Sequence, residues 1–213
     1  MTAYHFAIGC REEAECLVLK RHYSRRVPGN VQVIGTLHLN GGLFGDFGEA
    51  VAACFFSIPP TRWSDDVLEL TRLVRNDDLR PPLTQLIGKT VDHIRRKKLA
   101  DLLVSFADRT HGHHGGIYQA ASWVYGGMRD RSVDGCIVDG KFWPGRSCNS
   151  RWGTRSPEKL ATIIGRPVLP HFDEGKHLYW RAIGRCGERK AARLELERLP
   201  YPKPGMAAQS SLG

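Results

Sequence analysis

The stretch Leu99–Tyr125, LADLLVSFADRTHGHHGGIYQAASWVY, decides how this chain is read. From Leu102 to Ala107 it is apolar except for Ser105, the composition of a strand buried on both faces of a sheet, and the run stops at Asp108. After a loop rich in Gly and His, the positions Ile117, Ala120, Ala121 and Val124 have the spacing of a helix packed on that sheet. Tyr118, Ser122 and Tyr125 form a second stripe, one position over. Ligands of open α/β sheets bind beyond the carboxyl ends of the strands, so Asp108 stands where chemistry is expected. The plainer account of Asp108 is a cap on the following turn. In the same way His111, His113 and His114 are either a metal site or solvent-exposed loop residues.

Outward from this strand the chain gives a regular succession of elements. Tyr4–Ile8 predicts a strand and Arg11–Ser24 a helix, whose apolar stripe Ala14, Leu17 and Val18 continues to His22. The spacing turns His22 inward, as a core histidine or a catalytic one. A basic loop with Arg25 and Arg26 follows, suited to a phosphate backbone or to solvent. Val31–Leu39 and Glu49–Ile58 flank the turn-rich residues 40 to 48 as a hairpin. In VLELTRLVR, Val67–Arg75, a period of two puts Leu68, Leu70, Arg72 and Val74 on one face. A guanidinium in an apolar row needs a carboxylate, a phosphate or a ligand, and Asp108 on a neighbouring parallel strand is the candidate. Leu83–Lys98 predicts a helix with an apolar face of Leu83, Leu86, Ile87, Val91 and Ile94.

Strand, helix, hairpin, strand, helix, buried strand, helix: this order resembles the GNAT family of acyl-CoA-dependent N-acetyltransferases. The resemblance implies an α/β (α+β) fold, a GNAT-like mixed central sheet with helices on both faces. It departs at Arg75–Ile87, RNDDLRPPLTQLI, where the family's Gly-rich pyrophosphate loop has no counterpart. Arg80 and the helix start at Leu83 and Thr84 are left as the expected contacts for an acyl-CoA phosphate.

Composition narrows the partners. The 213 residues carry 31 Lys and Arg against 22 Asp and Glu, a net charge of +9, which favours a polyanion. None of the six cysteines forms a CxxC pair, so a zinc ribbon is not suggested and reduced, mostly buried thiols of a cytoplasmic protein are. The longest apolar run, Ala50–Ile58, is far too short for a membrane span. One domain over 1–185 is expected, then a charged helix at Glu188–Arg198 and a disordered tail within 186–213. Residues 139 to 160, DGKFWPGRSCNSRWGTRSPEKL, interleave cations with Trp143 and Trp152, which suits phosphate contact and base stacking as well as a solvated loop. Ser156-Pro157 starts a helix, a short strand lies near Gly135–Val138, and His177–Ile183 is a last strand.

Taken together, His22-Tyr23-Ser24, Arg72 inside ELTRLV, Ser105-Phe106-Ala107-Asp108, Tyr118, and the GK/RS/GT pattern from Gly140 to Ser156 resemble the Mom DNA-modification proteins of Mu-like bacteriophages. The resemblance implies an enzyme that converts adenine in duplex DNA to the N6-carbamoylmethyl form and shields the phage genome from restriction, in the cytoplasm of the infected host. It implies His22, Tyr23, Arg72, Asp108 and Tyr118 as the catalytic set, iron as a cofactor and acetyl-CoA as a donor; by ligand chemistry the iron falls to His22, Asp108 and Tyr118 or, in place of the last, Tyr23. The proton acceptor for the adenine amine is Asp108 or a tyrosine near Arg72. Double-stranded DNA is the expected partner, with Arg25, Arg26, Trp143, Arg146, Arg151 and Arg155 as its contacts. Extruding a base costs roughly a few kcal/mol, and Tyr23, Tyr118 and Trp143 are there to stack it. Homodimer and monomer stay open. The alternatives are a GNAT-type acetyltransferase acting on a small molecule or protein, and a non-catalytic DNA-binding module.

Overall fold

Val51 to Phe56 are all buried, and they form the centre of a strand that makes a sheet wide enough to cover on both sides. The computed structural model describes residues 4–40, 47–59, 63, 65–129 and 131–203. It divides into two compact units, one of Met1–Phe106, Gly115–Gly127 and Leu178–Gly213, the other of Ala107–His114 and Met128–His177.

The first unit carries β1 (Tyr4–Ile8), α1 (Arg11–Arg21), β2 (Val31–Asn40), β3 (Phe47–Ser57), β4 (Val67–Arg75), α2 (Leu83–Lys97), α3 (Gly116–Ala120) and α6 (Gly184–Arg193). It also holds most of β5 (Leu102–Asp108), β6 (Val124–Arg129) and β10 (Lys176–Ala182). The strands lie in the order β1-β2-β3-β4-β5-β10-β6. The pairs from β1 to β4 are antiparallel and β4 pairs with β5 in parallel, so the sheet is mixed as the element order predicts.

Strand alternation explains why helices cover both faces. Ala53 and Phe55 point to the side where Ala14, Leu17 and Val18 of α1 pack with Ile34 and Val74. Cys54 points the other way, to Thr90 of α2, with Sγ and Oγ1 3.2 Å apart. Gly35 stands opposite Cys54, and a Cβ there would meet Thr90 Oγ1 at 2.1 Å, so only glycine lets α2 lie this close. The buried face of α2 is Leu86, Ile87, Thr90, Val91 and Ile94, close to the predicted stripe. On the remaining part of the sheet Val67, Leu102, Val104, Leu178 and Trp180 pack with Ala191 of α6. That helix ends five residues earlier than the charge pattern predicts, at Arg193.

Two expectations about local structure are corrected. The predicted helix over Ile117 to Val124 is only the five residues of α3, and Val124 and Tyr125 begin β6. Ser122 in the left-handed region (φ 59°) breaks the helix, and Trp123, fully buried, anchors the turn as its N–H donates to Tyr118 O at 2.9 Å. Gly126 and Gly127 accordingly lie in a strand rather than a turn. The second correction concerns β4. Phe55 stands opposite Arg72 and the next residue, Phe56, stands opposite Leu70, so Thr71 is an extra residue, a β-bulge. Neighbouring residues of β3 face opposite ways, and Arg72 therefore leaves the face of Leu68 and Leu70. It joins the face of Val74 and of Glu69, which stands opposite Ser57.

The second unit contains a three-stranded sheet in the order β8-β7-β9, from β7 (Val133–Val138), β8 (Lys141–Pro144) and β9 (Val168–Phe172). It also contains α4 (Gly145–Trp152) and α5 (Pro157–Ile164). Residues 139 to 160 are thus strand and helix, not the loop expected. Asp139 and Gly140, both at positive φ (49° and 73°), make a two-residue hairpin turn that pairs Val138 with Lys141. Cys136, Val138, Cys148 and Leu160 form its core, with Trp143, Trp152, Ile164 and Val168 packed on it. Ser156 caps α5 as predicted, accepting from Lys159 N at 3.3 Å. Most of the turn expected at 40 to 48, residues 41–46, and the tail from 204 lie outside the described residues. Among the described residues no helix is long and apolar enough to cross a membrane.

Candidate functional site

In the first unit α1 ends at Arg21, earlier than predicted, and His22 caps it. The His22 Nδ1 accepts from Ser24 N at 3.1 Å, with Ser24 Oγ at 2.8 Å, so in the neutral ring the proton sits on Nε2. Tyr23 lies against the His22 ring, centroids 4.3 Å apart, and is 53% exposed, which suits a stacking surface. Arg25 and Arg26 follow, both exposed. Arg72 Nε donates to Arg26 O at 3.2 Å and its Nη1 donates to Thr71 O at 2.6 Å. The bulge at Thr71 is what aims this guanidinium at the loop after α1.

Tyr118 is the buried member of the set, 8% exposed, between the rings of Trp123 (5.6 Å) and Tyr179 (5.2 Å). Burial pushes its phenol up to about 12, a hydrogen bond with the Ser105 side chain offsets part of this, and the nearby Tyr23, Glu69 and Tyr179 add to the rise. Ser105 Oγ donates to Leu70 O at 2.8 Å, which ties this hydroxyl to the strand ahead of the bulge. Tyr179 is likewise raised to about 12 by burial and accepts from Gln119 Nε2 at 3.0 Å. Gly115 is the N-cap of α3 at φ 79°, and a Cβ there would stand 2.1 Å from the Tyr179 ring. Tyr118 is therefore a hydrogen-bond donor at neutral pH.

The expected cofactor contacts gather at the start of α2. Pro82 is its N-cap, no side chain caps the first turn and no acid lies in it, while Arg80 precedes it with φ 45°. Leu83 and Thr84 open the helix. An uncapped first turn with a cation before it fits a phosphate group.

In the second unit Asp108 Oδ1 accepts from Thr110 N at 3.0 Å and caps the 3-10 turn Arg109–His111, the plainer of the two roles foreseen for it. His113 is exposed and His114 half-buried. Arg146, Arg151 and Arg155 are exposed, and Trp143 and Trp152 are half-buried. The two indoles meet edge to face at 5.0 Å, with Arg151 stacked over both. The expected DNA contacts thus divide, Arg25 and Arg26 in one unit and Trp143, Arg146, Arg151 and Arg155 in the other.

The structure gives no support to the iron expected at His22, Asp108 and Tyr118. Among the described residues no three His, Cys, Asp or Glu side chains gather as a metal site.

Glu69, Ser105 and Tyr179 were not foreseen as site residues. Glu69 is the one acid of β4 and visible as such in the sequence, but the bulge that puts it on the face of Arg72 leaves no such mark. Lys141 and Arg166, beside the two tryptophans, were also missed.

The model of the Mom protein family matches residues 3–203, nearly the whole chain. No curated protein matches the chain in sequence. Among solved structures it is similar to Arabidopsis thaliana NAA60 in complex with a bisubstrate analogue, with a TM-score of 0.52 and 11% identity, covering 85% of this chain and 99% of that one. It is also similar to the ribosomal-protein-S5-alanine acetyltransferase of Vibrio fischeri, with a TM-score of 0.50 and 6% identity, covering 87% and 96%. At such identities the likeness is one of fold, and the fold is GNAT-like.

Proposed function

The chain belongs to the Mom protein family, and from that premise we propose that it is a phage DNA-modification transferase that converts adenine in duplex DNA to the N6-carbamoylmethyl form. The family match over residues 3–203 carries this reading, and protection from host restriction is its biological sense. The GNAT-like fold supports a transferase.

The chemistry sets what the residues must do. An acetyl transfer would join N6 to a carbonyl carbon, whereas a carbamoylmethyl group is joined through its CH2. The donor is therefore an acetamide unit with a leaving group on the α-carbon. The N–C bond forms, the leaving group departs with its bonding electrons, and the amine gives up a proton. The amine is a weak nucleophile because its lone pair is delocalised into the ring, so a base must take that proton as the bond forms. Tyr118, held protonated, donates a hydrogen bond, and a carboxylate is the acceptor. Glu69, on the face of Arg72, takes that role in the first unit, and Asp108 is the rival in the second. Arg72 holds the Arg26 loop in place.

The start of α2, with Arg80, Leu83 and Thr84, is where an acyl-CoA would be held by its phosphates. Bound there it would supply an activated carbonyl carbon, which serves N-acetylation, the alternative reaction, and not a bond to a CH2.

The test is mass spectrometry of nucleosides from the DNA of cells expressing the protein. A deoxyadenosine heavier by one carbamoylmethyl group is expected, lost in Tyr118→Phe and in whichever of Glu69→Gln and Asp108→Asn removes the base. Unmodified deoxyadenosine in the presence of folded wild-type protein, with acetyl-CoA turnover on a small amine, overturns the reading in favour of an ordinary acetyltransferase.

A further inference from the structure

The second unit holds a cavity of about 370 Å³ between its sheet and its two helices. Its walls are Trp143 and Trp152, and Val138 and Ile164 complete an apolar lining. Three cations open onto it, Lys141, Arg151 and Arg166, against one carboxylate, Asp139. The positions of the cations are set by the aromatic rings and by Asp139. Lys141 Nζ lies 5.2 Å from the Trp143 centroid, and the Arg151 guanidinium lies 5.3 Å from Trp143 and 5.2 Å from Trp152. A guanidinium laid on an indole keeps its N–H edge for an anion. Arg166 Nη1 donates to Asp139 Oδ2 at 2.6 Å, which fixes it at the rim by the hairpin turn.

The lining calls for a ligand with two properties. An inorganic anion would meet the cations and not the parts of the indoles that line the cavity, and a neutral aromatic would meet the indoles and not the cations. A flat ring joined to a phosphate uses both. The volume lies near the lower end of ligand pockets, which run from about 300 to 1,000 Å³, so the cavity admits one nucleotide and not a dinucleotide cofactor. A nucleotide inside a duplex has no exposed base face, so the ligand is unstacked.

We propose that this cavity is a nucleotide subsite of the second unit, taking one unstacked nucleotide of a DNA strand with its base against Trp143 and Trp152 and its phosphate on Lys141, Arg151 and Arg166. The proposal rests on the DNA-modification reading for the identity of the polymer. The subsite binds DNA and carries out none of the chemistry.

The experiment measures binding of a fluorescein-labelled short single-stranded oligonucleotide to the full chain by anisotropy, with deoxyadenosine monophosphate, deoxyadenosine and inorganic phosphate as competitors. Deoxyadenosine monophosphate is expected to compete better than either of its parts. Trp143→Ala is expected to weaken binding about 5- to 150-fold, the range for one stacked base, and Trp143→Phe to restore most of it. Arg151→Gln and Arg166→Gln, at exposed positions that leave the far-UV circular dichroism unchanged, keep the test open if Trp143→Ala does not fold. Binding by all these variants within twofold of wild type, or phosphate competing as well as the nucleotide, overturns the subsite. Modified nucleosides formed alongside that result leave the proposed function standing. Pocket-dependent binding without any modified nucleoside overturns the function and keeps the subsite.

Discussion

Arg72 Nε donates to the carbonyl oxygen of Arg26 at 3.2 Å, so the bulged strand that carries Glu69 also ties down the basic loop after α1. Hydrogen bonds from a charged donor contribute about 1.5–3 kcal/mol each. Arg72→Lys cannot keep both this bond and the one to Thr71 O, since an ammonium lacks the planar fork. Its expected cost is about 1–3 kcal/mol in urea unfolding, together with loss of DNA modification by folded protein. A variant with wild-type stability and activity would remove the loop-holding role.

The raised phenol of Tyr118 gives stability a pH dependence of known sign. Its folded value is about 12 against an ordinary value near 10, so folding favours the protonated form. That contribution is fully present below pH 10 and is lost as pH rises toward 12, because the unfolded chain releases the proton first. At about 1.4 kcal/mol per unit, the loss is of order 2–3 kcal/mol. Urea midpoints measured from pH 8 upward should fall less steeply for Tyr118→Phe than for wild type. Parallel slopes would place Tyr118 in contact with water.

Gly115→Ala tests the packing that seats Tyr179. The new Cβ would stand 2.1 Å from the Tyr179 ring at φ 79°, so overpacking adds to left-handed strain. The cost is about 2–4 kcal/mol. At Gly112, φ 71°, a Cβ meets nothing within 4 Å, so Gly112→Ala carries the backbone strain alone, about 1–2 kcal/mol. Equal midpoints for the two variants would contradict the Tyr179 contact.

Duplex binding should depend steeply on salt. With Arg25, Arg26, Arg146, Arg151 and Arg155 each on a phosphate, the slope of log K against log salt is about −4 to −5. Each Arg→Gln variant should reduce the slope by about one. A slope near zero removes duplex DNA as the partner.

Much of the fold was legible because its elements are regular. The run Leu102–Ala107 marked β5, and α2 shows nearly the apolar face its spacing predicts. The site was less so. Side-chain direction follows from spacing only while the backbone advances one residue per partner, and Thr71 breaks that rule in β4. The run Ile117–Tyr125 reads as one helix because helix and strand share apolar residues, and Ser122 ends it through a backbone angle that residue type does not announce. The Asp139-Gly140 turn was announced by its residue types, and was overlooked beside the cations that follow.

Composition, element order and motif residues by themselves determined a basic, mixed α/β chain of the Mom family with a GNAT-like sheet, since apolar periodicity and the succession of elements are written along the chain. Only the tertiary structure decided that Arg72 faces Glu69's side of the sheet, that burial favours the protonated Tyr118, and that Trp143, Trp152 and three cations line one open cavity. Each of these depends on segments distant in the chain meeting in space, where burial and the neighbours it brings set the charge and direction of a side chain.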